Sequence, residues 1–181
     1  MIIPKPNEII FYTAGKTWQA SKFLSLLSKG YNINARWIKH PKVLKSPTDE
    51  HDPETHKDEN LKRNIWETCK EDCLNADAGF LYTEPVDGNT LSGALVELGH
   101  ITGFNKPFYI CGTSESIEPV GNSDRAWKSQ KCVHILPHIN IFEAMTAACE
   151  HYRDIYSWQW NMRRNNGVIV HNTFFGTKRV I

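Results

Sequence analysis

Short apolar runs, polar turns and amphipathic stretches follow one another along most of this chain. That order is typical of parallel βαβ units, in which each buried strand is followed by a helix that covers the sheet. Five segments have the apolar character of strands: Glu8–Thr13, Tyr31–Ile38, Ala78–Tyr82, Phe108–Gly112 and Cys132–Leu136. Four segments have the spacing of helices: Trp18–Ser28, Ile65–Ala76, Leu91–Gly103 and Ile141–Tyr156. The pattern predicts an α/β fold, a single-domain flavodoxin- or Rossmann-like three-layer sandwich with a five-stranded, mostly parallel sheet.

Two segments lack this pattern. Lys39–Lys62 is polar and contains prolines, and we interpret this loop (residues 39–62) either as a mobile lid or as disordered chain. Ser157–Ile181 is rich in aromatic residues but has no clear period. We therefore expect a domain over residues 1–156 and a C-terminal tail, 157–181, that packs on that domain or on a neighbouring subunit.

Composition narrows the class of protein. The 181 residues include 21 basic and 20 acidic side chains, for a net charge of +1, so nothing indicates binding to polymeric nucleic acid. No secretory leader and no long apolar run is visible, which favours a cytoplasmic protein with no membrane partner. The five cysteines have no framework spacing, and although Cys69 and Cys73 are one helical turn apart, no second pair accompanies them. We expect no metal site and no cofactor.

The segment after the third predicted strand is the best candidate for a binding site. In parallel sheets, ligands bind beyond the carboxyl ends of the strands, where the helix that begins near Leu91 starts. Gly93 and Glu97 are four residues apart and share one face of that helix. The glycine admits a ligand close to the backbone, and the glutamate can then reach it. The competing interpretation of Glu97 is a surface residue that only compensates the helix dipole.

Other candidates lie at the same edge of the sheet. Tyr12 ends the first strand and is either a core residue or a neighbour of Glu97. The following Ala14-Gly15 turn is not a phosphate-binding P-loop, because Ile10 stands where that loop needs a glycine. It is either an ordinary tight turn or a place where backbone N–H groups meet a ligand. Asp72 faces either the crevice or solvent, and Asp77 is expected to make a backbone hydrogen bond where the helix joins the strand. The loop after the third strand adds the polar candidates Glu84, Asp87 and Asn89.

Several of these segments resemble one family, the nucleoside 2-deoxyribosyltransferases and the related deoxynucleoside 5′-monophosphate N-glycosidases. The resemblance covers roughly Ile9–Ala148 and is most specific in the glycine-x-x-x-Glu-Leu-Gly element with its following Asn-Lys-Pro strand entry. The segments that carry it are FYTAG, NARWI at Asn34–Ile38, NAD at Asn75–Asp77, SGALVELGHITGFNKPF and VHILPHINIFEA at Val133–Ala144.

The resemblance implies that Glu97 is a nucleophile that attacks the anomeric carbon of a nucleoside or nucleotide, with Tyr12 orienting its carboxylate. It also implies a homodimer or a larger even-numbered homo-oligomer. Cys69 stands where better-known members have an aspartate, which leaves Asp72 as the nearest acid for the departing base, and Leu91 stands where transferases have a second acid. The residues expected to bind substrate are Ala14, Gly15, Trp37, Asp87, Asn89, Ser92 and Gly93.

Two other functions remain open. A protein that kept the fold but lost the acid would bind a nucleotide without turning it over. A relative of the TIR-type domains, which also carry a catalytic glutamate on a similar sheet, would cleave NAD. Base release, tight binding without turnover and nicotinamide release distinguish the three.

Overall fold

The sheet of the protein has five strands, all parallel. A computed structural model describes residues 2–39, 59–84, 91–118, 120, 126–138 and 140–166. Within these residues the strands lie in the order β2-β1-β3-β4-β5, the doubly wound arrangement that the sequence predicted. Their bounds are β1 Ile10–Ala14, β2 Asn32–Ile33, β3 Ala78–Tyr82, β4 Phe108–Gly112 and β5 Val133–Pro137.

Helices cover both faces of this sheet and give the three layers. The α-helices in the described part of the chain are α1 Ala20–Ser28, α2 Glu59–Asn75, α3 Ser92–Thr102, α4 Ser114–Ile117 and α5 Ile141–Asn166. Short 3-10 turns cover Pro6–Glu8, Thr17–Gln19, Arg36–Lys39 and Ala126–Ser129. No helix among the described residues combines the length and the apolar character needed to cross a bilayer.

Successive side chains of β1 point to opposite faces of the sheet. Phe11 points into an aromatic core with Phe80, Tyr109 and Tyr152 of α5, at ring-centroid distances of 6.2–6.5 Å. Its neighbour Tyr12 points the other way, toward α2 and α3, because successive strand side chains alternate between faces. β1 and β3 pair in register, with Tyr12 opposite Gly79. The α2–α3 face therefore contains the candidate site.

The second predicted strand, Tyr31–Ile38, is much shorter than expected. β2 ends at Ile33, and a 3-10 turn follows from Arg36. The reason is local competition for hydrogen bonds. The Arg36 amide donates to the Asp72 carboxylate at 2.7 Å, and the Trp37 indole donates to the Thr13 carbonyl at 2.8 Å. These bonds hold Arg36 and Trp37 against α2 and β1, so β2 does not continue through them as a strand.

Two helices are longer than their apolar patterns predicted. α2 begins at Glu59 rather than Ile65, because the residues before Ile65 are mostly polar and show no apolar period that would reveal a helix. α5 runs on to Asn166, so ten residues of the predicted tail are helical and pack on their own domain. Trp160 donates to the Glu8 carbonyl at 3.1 Å, and Arg163 forms an ion pair with Asp77 at 2.9 Å. Residues 40–58 of the predicted lid and 167–181 of the tail lie outside the described residues.

Asp77 has the junction role expected from the sequence. One carboxylate oxygen accepts a hydrogen bond from the Ile10 amide at 2.8 Å, and the side chain is 2% exposed. The carboxylate therefore joins the start of β1 to the start of β3, at the edge of the sheet opposite the candidate site.

Candidate functional site

A buried tyrosine–glutamate pair forms the centre of the site. The Tyr12 hydroxyl on β1 donates a short hydrogen bond to Oε1 of Glu97 on α3. Tyr12 is fully buried and Glu97 is only 8% exposed. The carboxylate thus lies under the carboxyl half of the sheet, between α2 and α3, where the position of Gly93 and Glu97 in the sequence predicted it. This location excludes the interpretation of Glu97 as an exposed, dipole-compensating side chain.

Burial destabilises the ionised form of the Glu97 side chain. Desolvation raises the pKa of Glu97 from 4.5 to about 7, although hydrogen bonds from Tyr12 and Cys69 oppose that rise. The pKa of Tyr12 is also raised, first by desolvation and then by the charge of Glu97, so the phenol keeps its proton and acts only as a donor. Near neutral pH, Glu97 is poised between acid and carboxylate, a property typical of reactive carboxyl groups.

Two thiols complete the wall beside this pair. Cys69 and Cys73 lie one turn apart on α2, and both are buried. The Cys69 thiol is within hydrogen-bonding reach of both Tyr12 and Glu97, and desolvation raises the pKa of Cys69 to about 11. The pKa of Cys73 is raised as well, chiefly by desolvation. Neither thiol is therefore a ready proton donor or nucleophile near neutral pH. Among the described residues no three His, Cys, Asp or Glu side chains converge as metal ligands.

Asp72 does not face solvent, and its contacts are not with Glu97. Its side chain is 2% exposed. One carboxylate oxygen accepts from the Arg36 amide and the other from Arg36 Nε, both at 2.7 Å. Burial, and not the charge of Asp72, raises the pKa of Glu97. The geometry gives Asp72 a structural role, in which it holds the 3-10 turn against α2, and it does not support the expected role of acid for a departing base.

An exposed glycine and a half-exposed tryptophan lie next to each other one helical turn from Glu97. Gly93 lies one turn before Glu97 on α3 and is exposed. A Cβ atom at Gly93 would lie 3.7 Å from the Trp66 ring of α2, which is ordinary van der Waals contact. The Trp66 side chain is 43% exposed, far more than a core indole. A ligand that reaches Glu97 over Gly93 would pass along this ring.

The residue that precedes α3 has a strained backbone. Leu91 has φ 50° and ψ 43°, in the left-handed region that a branched residue seldom adopts, and it is buried. Such a conformation costs on the order of 1–3 kcal/mol and persists only where the surroundings enforce it. Strain of this kind is often found beside functional sites, and here it lies at the start of the helix that carries Glu97.

Three other residues expected to bind substrate lie near the carboxyl end of β1: Ala14, Gly15 and Trp37. Ala14 is the last residue of β1. In the turn after it, the backbone amide of Lys16 donates a hydrogen bond to the Gln19 side chain at 2.9 Å, so this N–H group is engaged within the protein. Trp37 uses its indole N–H on Thr13 and packs its ring on Phe23 at 5.8 Å. α3 begins at Ser92, whose side chain lies outside the described residues, as do Asp87 and Asn89.

Glu84 belongs to a separate cleft. Its carboxylate forms an ion pair with Lys22 and accepts from Gln19 at 3.2 Å. By alternation from Phe80, Tyr82 points to the α1–α5 face, opposite Glu97. The cleft has a volume of about 320 Å³ and is lined by Lys22, Ser25, Tyr82, Glu84, Asn140, Ile141 and Phe142.

Sequence reasoning missed two residues that shape the site. Trp66 precedes Cys69 by three residues and Cys73 by seven, so the helical period could have placed all three on one face. Lys106, in the Asn-Lys-Pro element, is buried and donates to the Cys73 carbonyl at 3.2 Å and to the Leu74 carbonyl at 2.5 Å. Because these carbonyls end α2, Lys106 fixes the helix that carries Cys69.

No family model matches the chain, and no curated protein matches its sequence.

Proposed function

We propose that this protein cleaves the N-glycosidic bond of a nucleoside or nucleotide, by hydrolysis or base exchange, with Glu97 as the nucleophile. The observation that carries the proposal is the buried Glu97 carboxylate held by the Tyr12 hydroxyl at the ligand-binding edge of the sheet, with the small Gly93 one turn away. The resemblance to the deoxyribosyltransferases assigns the same roles to the same two residues.

The chemistry follows from the surroundings of Glu97. An ionised carboxylate oxygen attacks the anomeric carbon, the bond to the base breaks, and water or a second base then resolves the glycosyl ester. The Tyr12 hydrogen bond fixes the orientation of the attacking oxygen. Burial withholds water from the carboxylate, so its charge is less well solvated before attack than it would be at the surface.

The finer parts of the proposal concern substrate and assembly. We assign contacts with the sugar or the base to Ala14, Gly15, Trp37, Asp87, Asn89, Ser92 and Gly93. A homo-oligomer with an even number of subunits stays a prediction, and the exposed apolar side chains of Ile155, Trp158 and Met162 on α5 are compatible with it.

One observation favours a second candidate, a protein that binds a nucleotide without cleaving it. Both oxygens of Asp72 are committed to Arg36, so the acid expected to protonate a departing base is engaged elsewhere. A site that binds but lacks an acid would turn neutral nucleosides over slowly or not at all.

The test is incubation with a panel of nucleosides, nucleotides and NAD, followed by chromatography for free bases. We expect base release by the wild type and its loss in Glu97→Ala, since loss of a nucleophile costs several kcal/mol of barrier. Glu67→Ala is the matched control, because that side chain on α2 is 68% exposed. Retention of more than about a tenth of the activity by Glu97→Ala removes Glu97 as nucleophile. Tight binding with no base released from any compound supports the second candidate.

A further inference from the structure

The described wall of the site offers a departing base no available proton. Three protic side chains of β1 and α2 come near Glu97: Tyr12, Cys69 and Cys73. The pKa of each is raised by burial, to about 11 for Cys69. The Asp72 carboxylate, on the same helix as the two thiols, is held by Arg36. Among the described side chains none is thus available to protonate a departing neutral base, which would then leave as an anion.

The Glu97 carboxylate also has no cationic partner among the described side chains. Arg36 is committed to Asp72 and Glu71, and Lys106 to the carbonyl groups that end α2. A buried carboxylate without a counter-charge is costly, and a ligand that brings a positive charge would relieve that cost. The site therefore favours a cation over a neutral ring of the same shape.

The Trp66 ring offers a suitable surface for such a cation. The Trp66 indole is half-exposed and lies beside Gly93, one turn from Glu97. Of the aromatic side chains, tryptophan attracts a cation over its face most strongly. A planar cationic base resting on Trp66 would approach the carboxylate across the open backbone of Gly93.

From this geometry we infer, on the basis of the proposed function, that the substrate is an N-glycoside whose base carries a positive charge, such as an N-alkylated purine or a pyridinium. Glu97 attacks the anomeric carbon and the carbon–nitrogen bond breaks. The bonding electron pair returns to the base nitrogen, which cancels the charge of the base. The base leaves as a neutral molecule and needs no proton. Water then opens the glycosyl ester, regenerates the carboxylate and releases one proton to solvent.

The experiment compares guanosine with 7-methylguanosine, which differ by one methyl group and one charge. Both are supplied as nucleosides and as 5′-monophosphates, in the ribose and the deoxyribose series, with a blank that lacks enzyme. We expect kcat/KM for the methylated compound to exceed that for guanosine by at least about thirtyfold, because general acid catalysis is worth 10²–10⁴-fold to a base that needs it. We also expect its kcat/KM to rise with pH as Glu97 ionises, up to the pH at which the methylated base loses its own N1 proton.

A smaller ratio overturns the inference while leaving the proposed function standing, because base is still released. Release from neither compound, nor from any other N-glycoside in the panel, overturns both. Two variants sharpen the comparison: Cys69→Asp places a carboxyl group beside Glu97, and Cys69→Asn is its matched control without an acid. The ratio of kcat/KM for 7-methylguanosine to kcat/KM for guanosine should be at least tenfold smaller in Cys69→Asp than in Cys69→Asn, because the added acid raises guanosine turnover. An equal ratio in the two variants contradicts the missing-acid explanation.

Trp66 is assigned as a substrate-binding residue that stacks on the base, and its variants separate stacking from folding. Trp66→Leu should raise KM for 7-methylguanosine about three- to thirtyfold with little change in kcat, and Trp66→Phe should restore much of that loss. An unchanged KM in Trp66→Leu removes the ring from the proposal.

Discussion

At the scale of single residues, the burial of Glu97 lowers the stability of the folded protein when its carboxyl group is ionised. Its carboxyl group has a pKa of about 7 in the fold, against 4.5 ordinarily, because burial disfavours the charged form. Between those two values the folded protein holds more protons than the unfolded chain, so the free energy of unfolding falls as the pH rises. Below 4.5 the cost is absent, and above about 7 it is complete.

The Glu97→Gln variant should therefore be more stable than the wild type at pH 8 and should lose that advantage on acidification. Each pKa unit corresponds to about 1.4 kcal/mol, so the gain at pH 8 should approach about 3 kcal/mol. Denaturant unfolding at several pH values measures it, with the exposed Glu67→Gln as control. A gain that does not depend on pH, or a loss of stability at pH 8, would contradict the assigned burial cost.

A contact between two residues could be predicted only where the secondary structure brings the two residues together. The βαβ pattern placed Tyr12 and Glu97 at one edge of one sheet, and the two side chains are bonded there. The sequence does not decide whether Asp72 faces the crevice or solvent. Its partner Arg36 lies in a turn, whereas the alternation of residues 31–38 predicts a strand there. Short-range patterns carry no information about such a long-range ion pair.

At the scale of elements, helix α3 offers a test that separates binding from stability. Gly93 and Gly99 both lie within it, and a methyl group at either position meets no clash: 3.7 Å to Trp66 at Gly93, and nothing within 4 Å at Gly99. Alanine at each position should raise stability by about 0.5–1 kcal/mol, with the smaller gain at Gly93 in the first turn.

Activity should distinguish the two variants. Gly93→Ala fills the approach to Glu97 and should lower kcat/KM for base release at least tenfold, on the scale of other small displacements in an active site. Gly99→Ala should retain the wild-type value. Thermal unfolding and steady-state kinetics on the same preparations supply both readouts. Full activity in Gly93→Ala would show that the ligand does not pass over this glycine.

Element boundaries were predicted well only where apolar residues define them. β3 and β4 have the bounds that the sequence predicted, since both are buried on both faces. α2 and α5 extend beyond their apolar patterns because polar residues form their ends. Three side chains hold the added turns of α5. Trp160 and Arg164 donate to the Glu8 carbonyl. Arg163 donates to the Ala76 carbonyl and forms an ion pair with Asp77.

At the scale of the whole molecule, the parallel sheet brings the functional groups to one place. Because all five strands run the same way, the ends of β1 and β3 and the start of α3 share one edge, and the order β2-β1-β3-β4-β5 puts β1 beside β3. The opposite edge holds the Asp77 network, which joins both ends of the described chain to β1 and β3. The Glu97 carboxylate and the Asp77 carboxylate thus lie near opposite ends of the strands.

The central claim, that Glu97 attacks the anomeric carbon, is tested most directly by capturing the glycosyl ester. Protein quenched in acid during turnover is digested and mapped by mass spectrometry. Accumulation of a covalent intermediate is the fingerprint of nucleophilic catalysis. We expect one sugar mass on the peptide that contains Glu97, and none in Glu97→Gln. A sugar mass on another residue, or a burst of free base with no adduct on that peptide, would contradict the account.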